Sequence, residues 1–395
     1  MFPLPQTRRR HKRLWRCKRI GIDTIMAIKV GIVGAGKVGV AIAALLDTTR
    51  FVESTFLGDV RPGENLDGLR KARFHKLDVR SKSDLEEFVR ACDVIISAAP
   101  YYLNKTIANA CAGFEKSYFD LTEDVETANF VRDLAQDSRA TFMPQCGLAP
   151  GAINIIASGL AHSFKVARSV EMRVGALPLS ASNQMKYYLS WSTAGLINEY
   201  CHCGEALYQG RRIPTLPLDG VERLTIDGVE YEAFNTSGGV ATMCETFEGR
   251  VGDLNYKTLR YPGHRDLMKF LLNDLNLNQK QDLLTQIFDQ EVPLTFSDVV
   301  VVYVNSVGNE EGGLIQRSFV KKIYAGTVGG RPLSALQLST AAGVVAVLEL
   351  FARSLLPSGF VKQESIALDQ FFDTQWGGRV YREAETVAPR MSIQA

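Results

Sequence analysis

Short apolar runs separated by amphipathic segments dominate the first 150 residues of the chain. Residues 29–33 form a β-branched run, which is typical of a strand buried on both faces of a parallel sheet. Similar runs predict further strands at 52–57, 73–78, 93–98, 117–120 and 140–143, with helices at 40–46, 83–91, 104–112 and 125–136. Strand and helix alternate without a hairpin signal. This alternation predicts an α/β unit with a doubly wound parallel sheet.

The pattern changes after Gly151, where strand signals begin to follow one another directly. Strands are predicted at 170–177, 186–191, 223–226, 230–233, 298–307 and 314–324, with helices at 193–201, 239–247, 264–274 and 278–288. Asp227-Gly228 is a hairpin-turn dipeptide between two of these strands, and residues 309–313 form a second turn. These features predict an α+β unit with a mixed sheet. The apolar segment 334–356 predicts a long helix that returns to the first unit.

The chain is therefore predicted to have four parts: an extension at 1–26, the doubly wound unit at 27–150, the α+β unit at 151–333 and C-terminal helices at 334–395. The first 25 residues hold eight of the 45 basic residues but only one of the 43 acidic ones. We expect this extension to be disordered, as an untranslated stretch before a true start at Met26 or, less favoured, as a basic targeting arm.

Composition narrows the class of protein. Hydrophobic residues make up 46% of the chain and charged residues 22%, as in soluble globular proteins. Without the extension the chain is net acidic, which argues against a nucleic-acid partner. The seven cysteines include no C-x-x-C pair, which favours reduced thiols in the cytoplasm and predicts no metal site. No apolar run reaches the ~18 residues that span a bilayer, so we expect no membrane partner.

A glycine-rich turn follows the first predicted strand and opens the first helix. Its residues are Gly34-Ala35-Gly36-Lys37-Val38-Gly39. Gly34 permits a tight turn, Gly36 lets the backbone approach a pyrophosphate, and Gly39 lets helix and strand pack closely. The free N–H groups of the helix N-terminus attract the phosphate. The sequence thus predicts a Rossmann dinucleotide site formed by Gly34, Gly36, Lys37, Val38 and Gly39.

An acidic residue at the end of the second predicted strand indicates which dinucleotide cofactor is preferred. Asp59 lies 25 residues after Gly34, where a carboxylate is expected to bind the adenosine ribose. A 2′-phosphate about 4 Å away would be repelled by roughly 4 kcal/mol, so NAD is predicted over NADP. Arg61 is the feature that would favour NADP. The ends of strands three and four add the cofactor candidates Asp78, Val79, Ala98, Ala99 and Pro100.

Five segments resemble the saccharopine dehydrogenase-like oxidoreductases, in particular the bacterial lysine 6-dehydrogenase and saccharopine dehydrogenase branch. They are VGIVGAGKVG (30–39), the AAP turn with Tyr101 (98–101), YFDLTED (118–124), CGLAPG (146–151) and YKTLRYPGH (256–264). The resemblance implies hydride transfer between a nicotinamide cofactor and an amine-bearing carbon of lysine or saccharopine. It also implies a homodimer formed through the second unit. The carboxynorspermidine and homospermidine enzymes are close alternatives, and a non-catalytic NAD sensor is a third.

The resemblance also gives candidate residues for the substrate site. Tyr101 and the CGLAPG residues Gly147, Leu148, Pro150 and Gly151 are expected to bind substrate. A helix should begin near Ala152, and its N–H groups are expected to bind a substrate carboxylate or to face the nicotinamide.

Three side chains are candidates for the chemistry itself. Asp120, at the end of the fifth strand, is predicted to carry protons, whereas Glu123 and Asp124 are expected to be solvated. Arg260 is predicted to bind a substrate carboxylate with its two-pronged guanidinium. His264 is expected at a helix start facing the same mouth, where the helix N-terminus would keep it neutral. Ordinary structural roles stay open: a helix cap for Asp120, a surface ion pair for Arg260 and a cap-region histidine for His264.

Overall fold

The apolar runs between residues 28 and 143 form one parallel sheet with helices on both faces. A computed structural model describes residues 27–63, 66–310 and 313–382, so the predicted disorder of the basic extension lies outside the described residues. The elements of this unit are β1 Ile28–Val33, α1 Lys37–Asp47, β2 Val52–Asp59, β3 Ala72–Lys76, α2 Lys82–Ala91, β4 Val94–Ser97, α3 Asn104–Gly113, β5 Ser117–Asp120, α4 Val125–Leu134 and β6 Thr141–Met143.

Burial explains why this sheet is parallel. All four residues of β4 and all four of β5 are buried, so both faces of each strand need a helical cover. Side-chain caps set the helix starts: Ser81 accepts a hydrogen bond from the Asp84 N–H at the start of α2, and Asp124 accepts one from the Thr127 N–H at the start of α4. The cap of α4 is therefore Asp124, not Asp120.

The second unit contains a larger mixed sheet. Its elements are α5 Ala152–His162, β7 Val166–Pro178, α6 Thr193–Cys201, β8 Gly204–Tyr208, β9 Arg211–Thr215, β10 Glu222–Ile226, β11 Val229–Phe234, α7 Met243–Phe247, β12 Asp253–Arg260, α8 His264–Lys269, α9 Gln281–Glu291, β13 Asp298–Glu310, β14 Gly313–Tyr324, β15 Gly326–Val328 and β16 Arg331–Leu333. The strand order is β10-β11-β12-β7-β13-β14, with β8 paired to β12 and β9 to β8. The β12–β7 pair is parallel and its neighbours are antiparallel, which confirms the predicted fold class.

One prediction for this unit was wrong, and one hairpin was missed. Residues 186–191 form a loop, in which Leu189 makes an isolated bridge to Leu294. They do not form a strand, because the side chains of Tyr187 and Leu189 pack separately into an apolar cluster. The β8–β9 hairpin was not predicted, because β9 is largely exposed and its apolar pattern is weak. Its turn has Gln209 and Gly210 at positive φ, the same geometry as the predicted turn at Asp227-Gly228.

The chain then returns to the first unit. The last elements are α10 Ala335–Ala352, β17 Gly359–Phe360, α11 Leu368–Phe372 and α12 Gln375–Tyr381. The strand β17 joins the parallel sheet beside β6, giving the order β17-β6-β5-β4-β1-β2-β3, and α10 packs against α1. These contacts confirm the predicted return of the C-terminal helices.

The helix α10 forms one wall of the space between the two units. Its first two N–H groups donate to the buried carboxylate of Asp298, at 2.6 Å from Ala335 and 3.1 Å from Leu336. A Cβ on Gly343 would lie 2.3 Å from the carbonyl oxygen of Gly147, so glycine is needed for the helix to pass this close to the 146–151 turn. Among the described residues, α10 is the one helix long and apolar enough to span a membrane, and 72% of it is buried within the protein.

Candidate active site

A cavity of about 410 Å³ lies where the carboxyl edge of the parallel sheet meets the mixed sheet. It combines the glycine-rich turn, the 146–151 turn, the start of α10 and one face of β12. Its lining residues are Gly36, Lys37, Val38, Ala98, Leu121, Glu123, Gly147, Leu148, Ala149, Pro150, Val174, Ala176, Ser190, Trp191, Ser192, Glu199, Tyr256, Thr258, Arg260, Leu336, Gln337 and Thr340. The predicted cofactor turn and the predicted substrate arginine thus face one space.

The N-terminus of α1 fits a phosphate group. In the part of the chain that the structure describes, no side chain caps this helix, so its first N–H groups point towards the cavity without a side-chain partner. A Cβ added to Gly36 would meet no atom within 4 Å, which leaves space where a ligand can approach the backbone. A Cβ on Gly39 would lie 1.9 Å from the Gly34 carbonyl oxygen, as expected for close strand–helix packing. These residues therefore fit a dinucleotide pyrophosphate.

The acid predicted to bind the ribose also holds the turn together. Asp59 Oδ2 accepts a 2.8 Å hydrogen bond from the Ala35 N–H, while the Arg61 N–H lies 3.4 Å from Oδ1. The carboxylate is half-buried beside the glycine-rich turn. The Asp59 carboxylate therefore lies next to the predicted pyrophosphate position, and its Oδ1 makes only one long hydrogen bond.

The remaining cofactor candidates divide into two groups. Ala98 lines the cavity, and the backbone of Gly34 packs directly against it. Asp78 accepts a 2.9 Å hydrogen bond from the Arg80 N–H, and the Val79 side chain is buried in the apolar cluster behind the sheet. Ala99 and Pro100 follow Ala98 at the sheet edge, and none of Asp78, Val79, Ala99 and Pro100 lines this cavity.

The 146–151 turn presents an apolar surface, not a row of free amides. The N–H groups of Ala152 and Ile153 donate to the carbonyl oxygens of Gly147 and Leu148, each at 3.0 Å. The N–H groups at the start of α5 therefore already have hydrogen-bond partners within the turn. The expectation that these N–H groups bind a ligand was wrong for this reason. Gly147, Leu148, Ala149 and Pro150 line the cavity, and Gly151, at φ 136°, lies behind them as the N-cap of α5.

Arg260 is the buried cation of the cavity. Its side chain is 3% exposed, with Nη1 donating to the Leu259 carbonyl oxygen at 2.9 Å and Nη2 at 3.4 Å from Oε1 of Glu199. The guanidinium lies 5.3 Å from the ring centre of Tyr187 and 5.8 Å from that of Tyr200. Its Nε–H has no hydrogen-bond partner among the described residues. Arg260 therefore has unused capacity to bind an anion, and it is not a surface ion pair.

Sequence reasoning missed two carboxylates that line the same cavity. Glu199 lies on α6, and burial raises its pKa to about 8 against the opposing effect of Arg260. Glu123 was expected to be solvated, but it is half-buried, and burial together with the charges of Asp124 and Asp120 raises its pKa to about 7.

The two carboxylates come from different units, and both lie beside α6. A Cβ on Gly195 would lie 3.1 Å from Oε1 of Glu123, so this carboxylate contacts α6 one turn before Glu199. The charge of Glu123 contributes to the raised pKa of Glu199. The raised pKa values make both groups candidates for proton transfer at the cavity.

Asp120 is placed at the predicted sheet edge, but it does not line the cavity. It is fully buried, and its carboxylate accepts hydrogen bonds from the Tyr118 hydroxyl and from the N–H groups of Thr122 and Gln145, at 2.9 to 3.0 Å. Burial raises its pKa to about 6, and these hydrogen bonds oppose the shift. The contacts tie the loops after β5 and β6 together, and the first of these loops carries Glu123.

His264 does not face the mouth of the cavity. It is fully buried, with Nε2 at 3.2 Å from the Tyr200 hydroxyl and Nδ1 at 3.0 Å from the Met185 carbonyl oxygen. Burial, with Arg260 nearby, lowers its pKa to about 3, so it is neutral as expected but chiefly for a different reason. The turn at Gly263, with φ 101°, directs the ring into the apolar cluster behind Arg260.

Tyr101 also lies away from the cavity. Its ring is 42% exposed and packs edge-on against the neighbouring Tyr102 in a short 3₁₀ turn. Its assignment as a substrate-binding residue stays a prediction from the resemblance.

Comparison with known proteins matches both units to one family. Residues 30–143 match the model described as the saccharopine dehydrogenase NADP binding domain, and residues 147–353 match the saccharopine dehydrogenase C-terminal domain. These matches confirm the resemblance predicted from the motifs and the predicted dinucleotide-binding unit. The choice between NAD and NADP stays a prediction.

Curated relatives are longer proteins. The chain is 24% identical over 198 residues to the alpha-aminoadipic semialdehyde synthase of Arabidopsis thaliana, covering 45% of this chain and 18% of that protein. It is 20% identical over 267 residues to the mitochondrial alpha-aminoadipic semialdehyde synthase of Bos taurus, covering 63% and 28%. The chain thus spans less than a third of the length of these relatives.

Two solved structures share the whole fold. Saccharopine dehydrogenase (L-Glu forming) from Saccharomyces cerevisiae superposes with a TM-score of 0.70 at 14% identity, covering 88% of this chain and 96% of that one. The homospermidine synthase of Legionella pneumophila, solved in complex with NAD, superposes with a TM-score of 0.61 at 13% identity, covering 90% of each chain. At these identities the likeness establishes the architecture.

Proposed function

The chain belongs to the saccharopine dehydrogenase family, and from that premise we propose that it is an NAD(P)-dependent oxidoreductase acting on an amine-bearing carbon of a lysine-pathway amino acid. Saccharopine and lysine are the substrates proposed. One observation carries the proposal: a buried arginine, two carboxylates of raised pKa and an open helix N-terminus line a single cavity. An amino acid offers the matching carboxylate and amine.

The cofactor is proposed to rest on the start of α1. Gly36, Lys37 and Val38 would hold its pyrophosphate, and Asp59 its adenosine ribose. When bound, the nicotinamide supplies a hydride acceptor or donor. The negative charge of Asp59 supports NAD over NADP, because a 2′-phosphate about 4 Å away would be repelled by roughly 4 kcal/mol at an effective dielectric constant near 20.

Arg260 is proposed to bind a substrate carboxylate. Its Nε–H lacks a partner in the described chain, and its contact with Glu199 is long at 3.4 Å, so a carboxylate would gain charge-assisted hydrogen bonds there. Such binding fixes the substrate relative to the turns that line the opposite wall, which lowers the entropic cost of reaching the reactive geometry. The apolar surface of Leu148, Ala149 and Pro150 would exclude water from the reacting carbon.

Glu123 and Glu199 are proposed to move the protons. The substrate amine must lose a proton before its carbon is oxidised, and water must lose one when it attacks the resulting imine. With pKa values raised to about 7 and about 8, each carboxylate can accept a proton near neutral pH and release it again. Asp120 acts indirectly, because its hydrogen bonds fix the loop that carries Glu123.

The test is turnover by the purified chain with NAD or NADP and a panel of amines. Formation of reduced nicotinamide, followed by absorbance, is expected with saccharopine or lysine. Cofactor binding without turnover of any amine would instead favour a redox sensor. Absence of binding of either cofactor would overturn the proposal at its first step.

A polyamine reaction is the second candidate. It is supported by the fold shared with the Legionella pneumophila homospermidine synthase and by the two cavity carboxylates, which suit a polycation. Arg260 argues against it, because a buried guanidinium repels a polyamine that has no carboxylate. Turnover of putrescine or homospermidine, with saccharopine and lysine inert, would favour this candidate.

A further inference from the structure

The candidate active-site cavity occupies one half of the proposed dinucleotide site. The strand order of the parallel sheet reverses between β1 and β4, and a dinucleotide crosses such a sheet at that point. Asp59, the proposed ribose ligand, ends β2 on one side of it and is not among the described lining residues. On the other side, Ala98, Leu121 and Gly147 follow β4, β5 and β6 and line the cavity. The cavity is therefore where the nicotinamide half of the cofactor would lie.

Gln337, near the start of α10, lines this cavity with a side chain that is only 4% exposed. Its Oε1 accepts a 2.9 Å hydrogen bond from the Ser334 N–H, and Ser334 Oγ accepts one of 3.1 Å from the Gln337 N–H. This capping box fixes the orientation of the amide, because the Ser334 N–H is a donor and must face the oxygen. The NH₂ group of the amide is therefore turned away from Ser334.

That NH₂ group is a donor without a partner. Gln337 Nε2 makes no hydrogen bond within residues 27–63, 66–310 and 313–382, and it is not among the unpaired side-chain atoms there that are sealed from solvent. It is therefore open to the cavity that its side chain lines. A largely buried donor held in one orientation gains most from an acceptor supplied by a ligand, because little solvent is there to compete.

Thr340 adds a hydroxyl group on the same face of the helix. It lies three residues after Gln337 on α10, and it also lines the cavity. Its Cγ2 would lie 3.6 Å from a Cβ added to Gly147, so Thr340 stands against the turn that follows β6. A hydroxyl oxygen accepts hydrogen bonds, whereas the NH₂ group of Gln337 donates them. The helix thus offers the cavity a donor and an acceptor one turn apart.

We propose that Gln337 and Thr340 bind the carboxamide of the nicotinamide ring, an inference that rests on the proposed function. The Gln337 NH₂ group would donate to the carboxamide oxygen, and the Thr340 hydroxyl would accept from the carboxamide NH₂. A carboxamide needs both kinds of partner, whereas an ionised carboxylate has no hydrogen to donate. Holding the carboxamide fixes the rotation of the ring, and with it the face of the ring that meets the substrate.

The test compares NADH with ADP-ribose, which lacks the nicotinamide ring, by calorimetry. Gln337→Glu keeps an oxygen for the Ser334 N–H, and so preserves the capping box, but it removes the NH₂ donor. NADH affinity is expected to fall about tenfold relative to ADP-ribose. Both ligands carry the same pyrophosphate, so the ratio of their affinities cancels the effect of the added charge.

Two control variants separate this effect from charge and from helix stability. Gln370→Glu makes the same substitution at an exposed position on α11 and should leave the ratio unchanged. Ser334→Ala removes the Oγ acceptor of the cap but keeps the amide of Gln337, so it should lower the melting temperature and change the ratio less than Gln337→Glu does.

The 3-acetylpyridine analogue of NAD tests the acceptor separately, because it keeps the carbonyl oxygen but carries a methyl group instead of NH₂. Thr340→Val should weaken the binding of NAD about threefold to tenfold and leave the affinity for the analogue unchanged. Gln337→Glu should weaken both. Equal effects of Thr340→Val on the two ligands would remove Thr340 from the site.

The remaining outcomes distinguish this inference from the proposed function. If Gln337→Glu leaves the ratio of NADH to ADP-ribose affinity unchanged, the amide does not contact the ring and the inference is overturned alone. An unchanged ratio with a raised KM for the amine would overturn it in the same way and assign the amide to the substrate. Binding of neither NADH nor NADPH by the native protein would overturn the proposed function and this inference together.

Discussion

Nη2 of Arg260 lies 3.4 Å from Oε1 of Glu199, and both side chains line the cavity that also receives the start of α1. At this distance the pair is a loose contact rather than a close ion pair, although both groups are largely withdrawn from water. A substrate carboxylate is therefore expected to compete with Glu199 for Arg260. Glu199 would then be released to accept a proton, which links substrate binding to proton transfer.

Replacing Arg260 with alanine should raise the KM for the amino acid strongly. Hydrogen bonds to a charged group contribute roughly 1.5–3 kcal/mol, so an increase of about 10- to 150-fold is expected. The affinity for NADH, measured by calorimetry, should stay unchanged because Arg260 is on β12 and not on the glycine-rich turn. Equal losses of substrate and cofactor affinity would remove its assigned role.

Two further variants separate binding from folding in this experiment. Arg260→Lys keeps the charge but not the two-pronged geometry, so its KM should fall between those of the native protein and Arg260→Ala. Arg223→Ala removes an arginine whose side chain is 70% exposed on β10 and should change neither constant. Melting temperatures of all three variants show whether the fold has survived.

The pH dependence of amine oxidation should follow the carboxylate pair. The base form is required, so the rate should rise with pH through the region of the raised pKa values, about 7 for Glu123 and about 8 for Glu199. Removing the acting base, as Glu123→Gln or Glu199→Gln, should lower the rate about 10²- to 10⁴-fold and flatten this rise. The substrate amine titrates identically in every variant, so a profile unchanged by both substitutions would exclude the pair.

The same groups predict how stability changes with pH. Burial raises the pKa of Glu199 from 4.5 to about 8, so between these pH values the folded protein holds a proton that the unfolded chain has released. The free energy of unfolding should therefore fall as the pH rises through this window. Glu199→Gln should make the fall shallower in urea denaturation series, whereas Glu230→Gln, at an exposed position on β11, should leave the slope unchanged. An equally steep fall in Glu199→Gln would show that Glu199 is not the source.

Local motifs were predictable from the sequence, whereas contacts between the two units were not. The glycine-rich turn forms as predicted because strand, turn and helix are consecutive in the chain. The position of Glu199 in the cavity depends on how α6 packs against a loop of the first unit, and no local pattern encodes this. The signal in the sequence was that Glu199, next to Asn198, stands between the buried Ile197 and Tyr200 of a largely apolar helix.

For Asp120 and His264, the sequence did not predict the direction in which the side chain points. Both were assigned by position, at a strand end and after a strand-breaking Pro-Gly. Position gave the correct edge of the sheet for Asp120, but its carboxylate turns back to accept backbone N–H groups. The direction of a side chain is set by its hydrogen-bond partners and by the apolar cluster around it, and neither is encoded in spacing alone.

Asp59→Asn should shift the cofactor preference towards NADP. Asparagine keeps an oxygen that can accept the Ala35 N–H, so the turn should remain intact while the negative charge is lost. Roughly 4 kcal/mol of repulsion corresponds to about a thousandfold in preference, and partial screening should leave a change of at least tenfold in the ratio of kcat/KM values for NAD and NADP. Asp137→Asn, at an exposed position in the loop after α4, is the matched control. A native preference for NADP, unchanged by Asp59→Asn, would place the specificity with Arg61.

Two glycine substitutions distinguish the cofactor site from the packing of the turn. Gly36 has φ −76°, and an added Cβ would meet no protein atom, so Gly36→Ala should fold with a native melting temperature. Its methyl group would nevertheless occupy the space assigned to the pyrophosphate, so NADH affinity should fall at least tenfold. Gly39→Ala would place a Cβ 1.9 Å from the Gly34 carbonyl oxygen, so it should lower the melting temperature itself. If Gly36→Ala bound NADH as tightly as the native protein, the phosphates would have to lie elsewhere than on the open N-terminus of α1.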